Sequence, residues 1–352
     1  MADAEQYADL VFEGGGVKGI GLAGAYAALT ERGFEPKGVA GTSAGAITAA
    51  LVAAGYSSAE LDEILLRLPF AEFKDKDWKD RLGIPGQAVS LLRDKGIYEG
   101  RFFRDWIAGL LEAKGVTRFG QLVDEEAEDP GNRYRLKVIA SDVTHRRMLV
   151  LPDDAGHLGV DPDELEIAYA VRMSMSIPIF FEPVVHENPR TGREHLIVDG
   201  GMLSNFPVWL FDCEGREPRW PTFGLLLVEP DPKVPIGRRL EGDDHDAERG
   251  SLIDYLKSLA STMMAAHDRL YLENATFART IPIPTLGVGT TEFEIQPERV
   301  NELYESGRGA ALDFLGRWSF PRYIEEFRRG KDAPRRRDLL HGSPTPMKEA
   351  PS

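Results

Sequence analysis

Gly41-Thr-Ser-Ala-Gly45 fits the pattern Gly-x-Ser-x-Gly. A short apolar stretch precedes it and an alanine-rich stretch follows, the strand–turn–helix setting in which such a serine serves as a nucleophile. Gly41 and Gly45 remove the clashes that a tight turn would cause. The Ser43 hydroxyl then points out over a helix N-terminus, and the Ala44 N–H can face a developing oxyanion. The chemistry implied is acyl transfer through a serine ester. The competing reading is a glycine-flanked turn capped by a serine.

Two further glycine clusters offer partners. Gly14-Gly-Gly-Val-Lys-Gly19 lies between a strand and a helix, where exposed N–H groups meet the positive end of a helix. Such a loop binds phosphate or stabilises an oxyanion, and the motif alone does not choose. Gly14, Gly16 and Gly19 fit a dinucleotide fingerprint, which also asks for an acidic residue about 20 positions on, at the end of the second strand. Glu35 has the spacing but precedes the Gly38–Gly41 strand instead of closing it. Lys18 is followed by Gly, so a P-loop is excluded. A nucleotide-binding module using Gly14–Gly19 is therefore the alternative from another functional class. Asp199-Gly200-Gly201 follows the apolar run His195–Val198, which makes Asp199 a candidate base or, alternatively, the head of an Asx-type turn.

A Ser–Asp–His triad needs a histidine. The seven are His145, His157, His186, His195, His245, His267 and His341, and none lies in a glycine-rich or strand-end setting suited to a triad. An α/β-hydrolase would also place several strands ahead of its elbow. No His/Cys spacing reads as a metal site, so neither metal nor cofactor is expected.

The elements that must position these residues follow from local pattern. Asp9–Glu13 reads as a strand, Ile20–Arg32 as a helix stopped by Gly33, Gly38–Gly41 as a short strand, and Ala44–Ala54 as a buried helix closed by Gly55. Ser57-Ser-Ala-Glu60 is a capping box for a helix through Leu68. This order implies a parallel sheet with crossover helices. Further on, Arg101–Ala113 reads as a helix, Asp124–Asn132 as an acidic loop, and Leu136–Ala140 with Met148–Leu151 as paired strands. Asp161-Pro162 predicts a helix start running to about Met173. Phe223–Val228 is a central-strand run, Ser251–Ala278 and Pro297–Trp318 are helices, and Arg238–Gly250 is a charged loop.

The three glycine-flanked motifs, in this order, resemble the patatin-like phospholipase family. Ala140-Ser-Asp142, Arg172-Met-Ser-Met-Ser-Ile-Pro178 with Phe180 and Pro183, Thr291-Glu-Phe293 and Leu303-Tyr-Glu-Ser-Gly307 are similar to that family's secondary blocks. The resemblance covers residues 8–318. It implies an α/β class fold, a three-layer α/β/α arrangement with a central, mostly parallel sheet. It also implies a Ser–Asp dyad without histidine, with Ser43 as nucleophile and Asp199 as general base. Gly15 and Gly16 would supply oxyanion-hole N–H groups within the Gly14–Gly19 loop, with Lys18 where the family often has arginine. The implied activity is serine hydrolysis of carboxylic esters, a phospholipase A or esterase type of lipid acyl hydrolysis. A short-chain carboxylesterase on the same fold is the alternative.

Composition bounds the setting. The chain has 352 residues, 42% hydrophobic content, one cysteine and a net charge of −15. The charge argues against nucleic acid as a partner, since that needs a basic footprint, but it permits a lipid or ester substrate met through apolar contacts. No run reaches the roughly 20 apolar residues of a spanning helix. Met1–Ala8 is polar and acidic, unlike a secretory signal. Expected are one domain over 8–330, a disordered tail over 331–352, a cytoplasmic location peripheral to membrane, and only transient membrane contact. The aromatics Phe70, Phe73 and Trp78 are read first as half-buried packing and second as a rim for acyl chains.

Overall fold

The computed structural model describes residues 6–66, 97–127, 130–178, 180–213, 216–229, 274–290, 292 and 295–329. Several expectations lie outside these: the Phe70–Trp78 stretch, the Arg238–Gly250 loop, His245, His267, His341, and the tail. Of the helix expected over Ser251–Ala278, only the turn Asn274–Phe277 lies within them.

Among the described residues, eight strands form one mixed sheet. They are β1 (Gln6–Phe12), β2 (Phe34–Thr42), β3 (Leu136–Asp142), β4 (Arg147–Leu151), β5 (Val184–Glu187), β6 (Glu194–Asp199), β7 (Thr222–Val228) and β8 (Thr280–Pro284). β3, β2, β1, β7 and β8 run parallel in that order. β4, β6 and β5 extend the sheet in antiparallel fashion. The strands alternate, as a sheet covered on both faces requires. Leu10, Phe12, Val39, Val138, Phe223 and Leu225 enter a large core beneath the helices. Val11, Ala40, Ile139, Val150, Leu226 and Val228 face the other way, against Phe206–Phe211.

Among the described residues, the helices of eight residues or more are α1 (Ile20–Glu31), α2 (Ala44–Ala53), α3 (Ser58–Leu66), α4 (Ile97–Ala113), α5 (Ile167–Ser174) and α6 (Pro297–Leu315). α2 is buried all round, consistent with its lack of charged residues. α1 packs closely on α6, where a Cβ on Gly307 would sit 1.9 Å from the Gly21 carbonyl oxygen. The capping box at α3 forms as expected: Ser57 N–H donates to Glu60 Oε2 at 2.8 Å and Glu60 N–H to Ser57 Oγ at 3.3 Å. Among the described residues no helix is long and apolar enough to cross a membrane.

Two expectations need correction. The Gly38–Gly41 strand is longer, Phe34–Thr42, because β1 and β3 pair with it on both sides. The segment at Asp161-Pro162 makes a single turn, with Asp161 Oδ1 accepting from Asp163 N–H at 3.0 Å. The helix itself begins at Ile167, after Glu166 takes an extended backbone and bridges to Arg118. β8 carries Pro282 and Pro284, residues that argue against a strand, yet among the described strands β8 lies at the sheet edge, where missing N–H groups are tolerated.

Candidate active site

The strand registers explain how two residues far apart in sequence meet. Val138 and Ile139 of β3 pair with both β2 and β4. Ala140, Ser141 and Asp142 pair with both β4 and β6. A strand has only two edges, so β2 and β6 share the edge of β3 opposite β4. They run toward each other along it. Thr42 ends opposite Ile139, and Asp199 ends opposite the next residue, Ala140. Ser43 follows directly on Thr42, so the two strand tips bring Ser43 and Asp199 face to face.

Ser43 adopts φ 53° and ψ −127°, a backbone that costs a side-chain-bearing residue energy and persists only where its surroundings enforce it. Gly45 makes the turn sterically feasible, because a Cβ there would lie 2.3 Å from the Phe12 carbonyl oxygen. On Gly41 it would lie 2.2 Å from the Gly45 carbonyl oxygen. The strained peptide is held by Ser174 at the end of α5, whose Oγ accepts from Ser43 N–H at 2.8 Å. The Ser43 hydroxyl lies 3.7 Å from Met175 Sδ, and the Ser176 carbonyl accepts from Asp199 N–H at 2.9 Å. The turn 174–176 therefore touches both Ser43 and Asp199. Buried Arg172 fixes that turn, with one guanidinium nitrogen 2.5 Å from Ser176 Oγ and the other 3.0 Å from the Glu182 carbonyl.

Asp199 is fully buried. Its Oδ1 accepts from Gly201 N–H at 2.8 Å, while Oδ2 is buried with no group in full hydrogen-bonding geometry. Burial raises its carboxyl from 3.8 to about 7, against the opposing pull of the Gly201 N–H and the Ser43 hydroxyl. An aspartate poised near neutrality is matched to general-base work in a way that a solvated one is not. Gly200 has its own steric reason, since a Cβ there would lie 2.3 Å from the Ile139 carbonyl oxygen.

The first glycine loop lies against this pair. A Cβ on Gly14 would be 3.1 Å from Ser43 Cβ, and one on Gly19 would be 3.2 Å from Ala44 Cβ. Asn205 anchors the loop, its carbonyl accepting from Gly14 N–H at 3.2 Å and its Nδ2 donating to the Gly14 carbonyl at 3.0 Å. Gly14 N–H is thereby committed to holding the loop. No described residue accepts from the N–H of Gly15, Gly16 or Ala44. Lys18 turns to the loop's rim, where its ammonium donates to Glu229 at 2.8 Å. Glu35 sits at the start of β2, opposite Tyr7, at the far end of β1 from the glycines. The dinucleotide reading thus loses its acidic partner.

Sequence reasoning did not single out Asn205 or a role for Ser174–Ser176. The latter lie in the Arg172–Pro178 block, which carried signal only as a resemblance. It also missed that Asp142, His145 and His195 converge in space.

The sequence model of the family described as Patatin-like phospholipase matches residues 10–212. The uncharacterised protein YqhO of Bacillus subtilis (strain 168) is 38% identical over 317 residues, 89% of this chain and all of that protein. The uncharacterised protein R571 of Acanthamoeba polyphaga mimivirus is 22% identical over 311 residues, covering 86% and 91% of the two chains. Among solved structures, VipD from Legionella pneumophila is similar in fold, with a TM-score of 0.50 at 18% identity, over 89% of this chain and 67% of that one.

Proposed function

The chain belongs to the Patatin-like phospholipase family, a family of lipid hydrolases, and from that premise we propose that it cleaves fatty-acyl esters through Ser43 and Asp199. The observation that carries the proposal is a strained, buried serine at one strand tip facing a buried carboxyl near pKa 7 at the other.

Asp199 Oδ2 takes the Ser43 proton as Oγ attacks the ester carbonyl. The oxyanion is met by the N–H groups of Gly15, Gly16 and Ala44, the last also carrying the positive end of α2. One such donor is worth about 3–4 kcal/mol in the transition state. Asp199 then passes its proton to the departing alcohol oxygen, leaving the acyl group on Ser43. Water attacks that ester, giving a proton to Asp199. Release of the fatty acid returns that proton to Ser43. The Ser43 N–H takes no part in the oxyanion hole, because Ser174 holds it.

The test is hydrolysis of phosphatidylcholine and of a short nitrophenyl ester, together with labelling by a serine-reactive phosphonate. Labelling at Ser43 is expected, with both hydrolyses lost in Ser43→Ala and in Asp199→Asn while the fold persists. Turnover surviving in Ser43→Ala would end the proposal. Hydrolysis of the short ester alone would replace it with a short-chain carboxylesterase.

A further inference from the structure

The turn joining β3 to β4 builds a second polar cluster that the acyl chemistry does not use. Asp142 closes β3, His145 lies in the turn, and His195 lies on β6. Asp142 pairs with Ile197, so it shares a sheet face with Ile197 and with His195 two residues along. Asp142 Oδ2 lies 2.7 Å from His195 Nδ1 and 2.9 Å from His145 Nδ1. The other carboxylate oxygen accepts from the His145 backbone N–H at 3.1 Å, which fixes the plane of the group. The two imidazole rings are 4.5 Å apart, and the three ligand-type atoms all lie within 4.8 Å of one another. Asp142 and His195 are buried, with side chains 1% and 7% exposed, whereas His145, at 38%, opens the cluster to solvent. His186 stands beside His195 at 6.2 Å, but its ring nitrogens face Tyr169 Oη and the Leu158 carbonyl. It packs against the cluster without offering it a ligand atom.

We propose that Asp142, His145 and His195 form a site for a divalent transition metal, with zinc the ion of best fit. Two imidazole nitrogens and one carboxylate oxygen suit zinc, whereas calcium and magnesium take oxygen ligands. Without metal, both Nδ1 atoms must carry hydrogen to donate to one shared oxygen. In the metal-bound form those protons reside on Nε2, so neutral rings bind without net proton release. Tetrahedral bonds of about 2.0–2.1 Å place ligand atoms about 3.3 Å apart. The two oxygen–nitrogen separations therefore each widen by roughly half an ångström as the Asp142, His145 and His195 side chains turn about the ion. A water completes the fourth position from the solvent side. The ion clips the β3–β4 turn to β6, the strand that ends in Asp199, and so stabilises the platform of the proposed base without entering its chemistry.

The experiment uses full-length protein stripped by chelator, titrated with Zn²⁺ by calorimetry and with Co²⁺ by its visible d–d absorption. Expected are one ion per chain, an upward shift in Tm with Zn²⁺, and tetrahedral Co²⁺ bands. His145→Gln, at the exposed ligand, should keep the metal-free Tm and lose about tenfold or more in affinity. Asp142→Asn should lose binding too, whereas His157→Gln and Ser43→Ala should bind as wild type. Absence of saturable binding, or affinity unchanged in His145→Gln, would overturn the assignment. Because Ser43→Ala is expected to bind metal normally, this result is independent of the hydrolase proposal.

Discussion

The Asp199 titration carries a stability prediction and, for the proposed dyad, a rate prediction. Folded, its carboxyl titrates near 7, and in the unfolded chain near 3.8. Between these values the native state holds a proton that the unfolded state lacks, so rising pH weakens the fold. The contribution is complete below about pH 4 and is lost as pH rises through about 7. Asn at this position cannot ionise. Asp199→Asn should therefore melt above wild type at pH 8, by an amount on the order of a few kcal/mol. That advantage should shrink toward zero in acid, and melts at several pH values check it. The proposed base role predicts the opposite trend in rate: kcat/KM should climb through an apparent pKa of about 7 as the carboxylate appears. A rate that is flat from pH 5 to 8 would remove Asp199 from the role of base. Ser174 acts on its neighbour instead of on substrate. Ser174→Ala leaves the Ser43 N–H unpaired in a buried site, so kcat should fall about 10- to 100-fold with KM nearly unchanged. Ser174→Thr, which keeps the hydroxyl, should restore most of the rate.

At the scale of elements, the site is made by two strand tips meeting along β3 and by helices that approach closely. The α1–α6 contact depends on Gly307, where an added Cβ would meet the Gly21 carbonyl oxygen at 1.9 Å. Backbone cannot yield there as a flexible side chain could, so Gly307→Ala should cost about 1–3 kcal/mol. Gly309, two residues on in the same helix, has open space where a Cβ would point, with nothing within 4 Å. Gly309→Ala should instead stabilise by about 0.4–1 kcal/mol, through helix preference and a less flexible unfolded chain. Denaturant melts of the two variants should move in opposite directions, with phosphonate labelling of Ser43 unaltered in both. The same elements show what local pattern conveys. The β1–α1–β2–α2 order, the elbow and the α3 capping box were legible because each is set within a few residues by glycine placement, capping or apolar period. The start of α5 at Ile167 was not, because a bridge from Glu166 to distant Arg118 overrides the Asp-Pro signal.

At the scale of the molecule, the segment beyond the family-matched stretch is fastened to it by charge. Asp212 pairs with Arg279 at 2.6 Å and with Arg328 at 2.9 Å. The Arg279 side chain is only 4% exposed, so removing its partner leaves a cation in the interior. Asp212→Asn should cost about 3–5 kcal/mol, although Asp9, buried nearby, offers partial compensation. Urea unfolding checks this, and a loss below about 1 kcal/mol would show that the pair is dispensable. The net charge of −15 favours dispersed copies of the chain through mutual repulsion.

The sequence by itself determined the strand–turn–helix setting of Ser43, the alternation of strand and helix, and the glycines that permit backbone to approach backbone. These are short-range matters of sterics and period. Tertiary structure alone decided that β2 and β6 meet on one edge of β3, which brings Ser43 beside Asp199. It also decided that burial lifts Asp199 to about 7, and that Asp142 gathers two histidines. Strand order and burial depend on pairings between remote segments, whose free energy no local window contains.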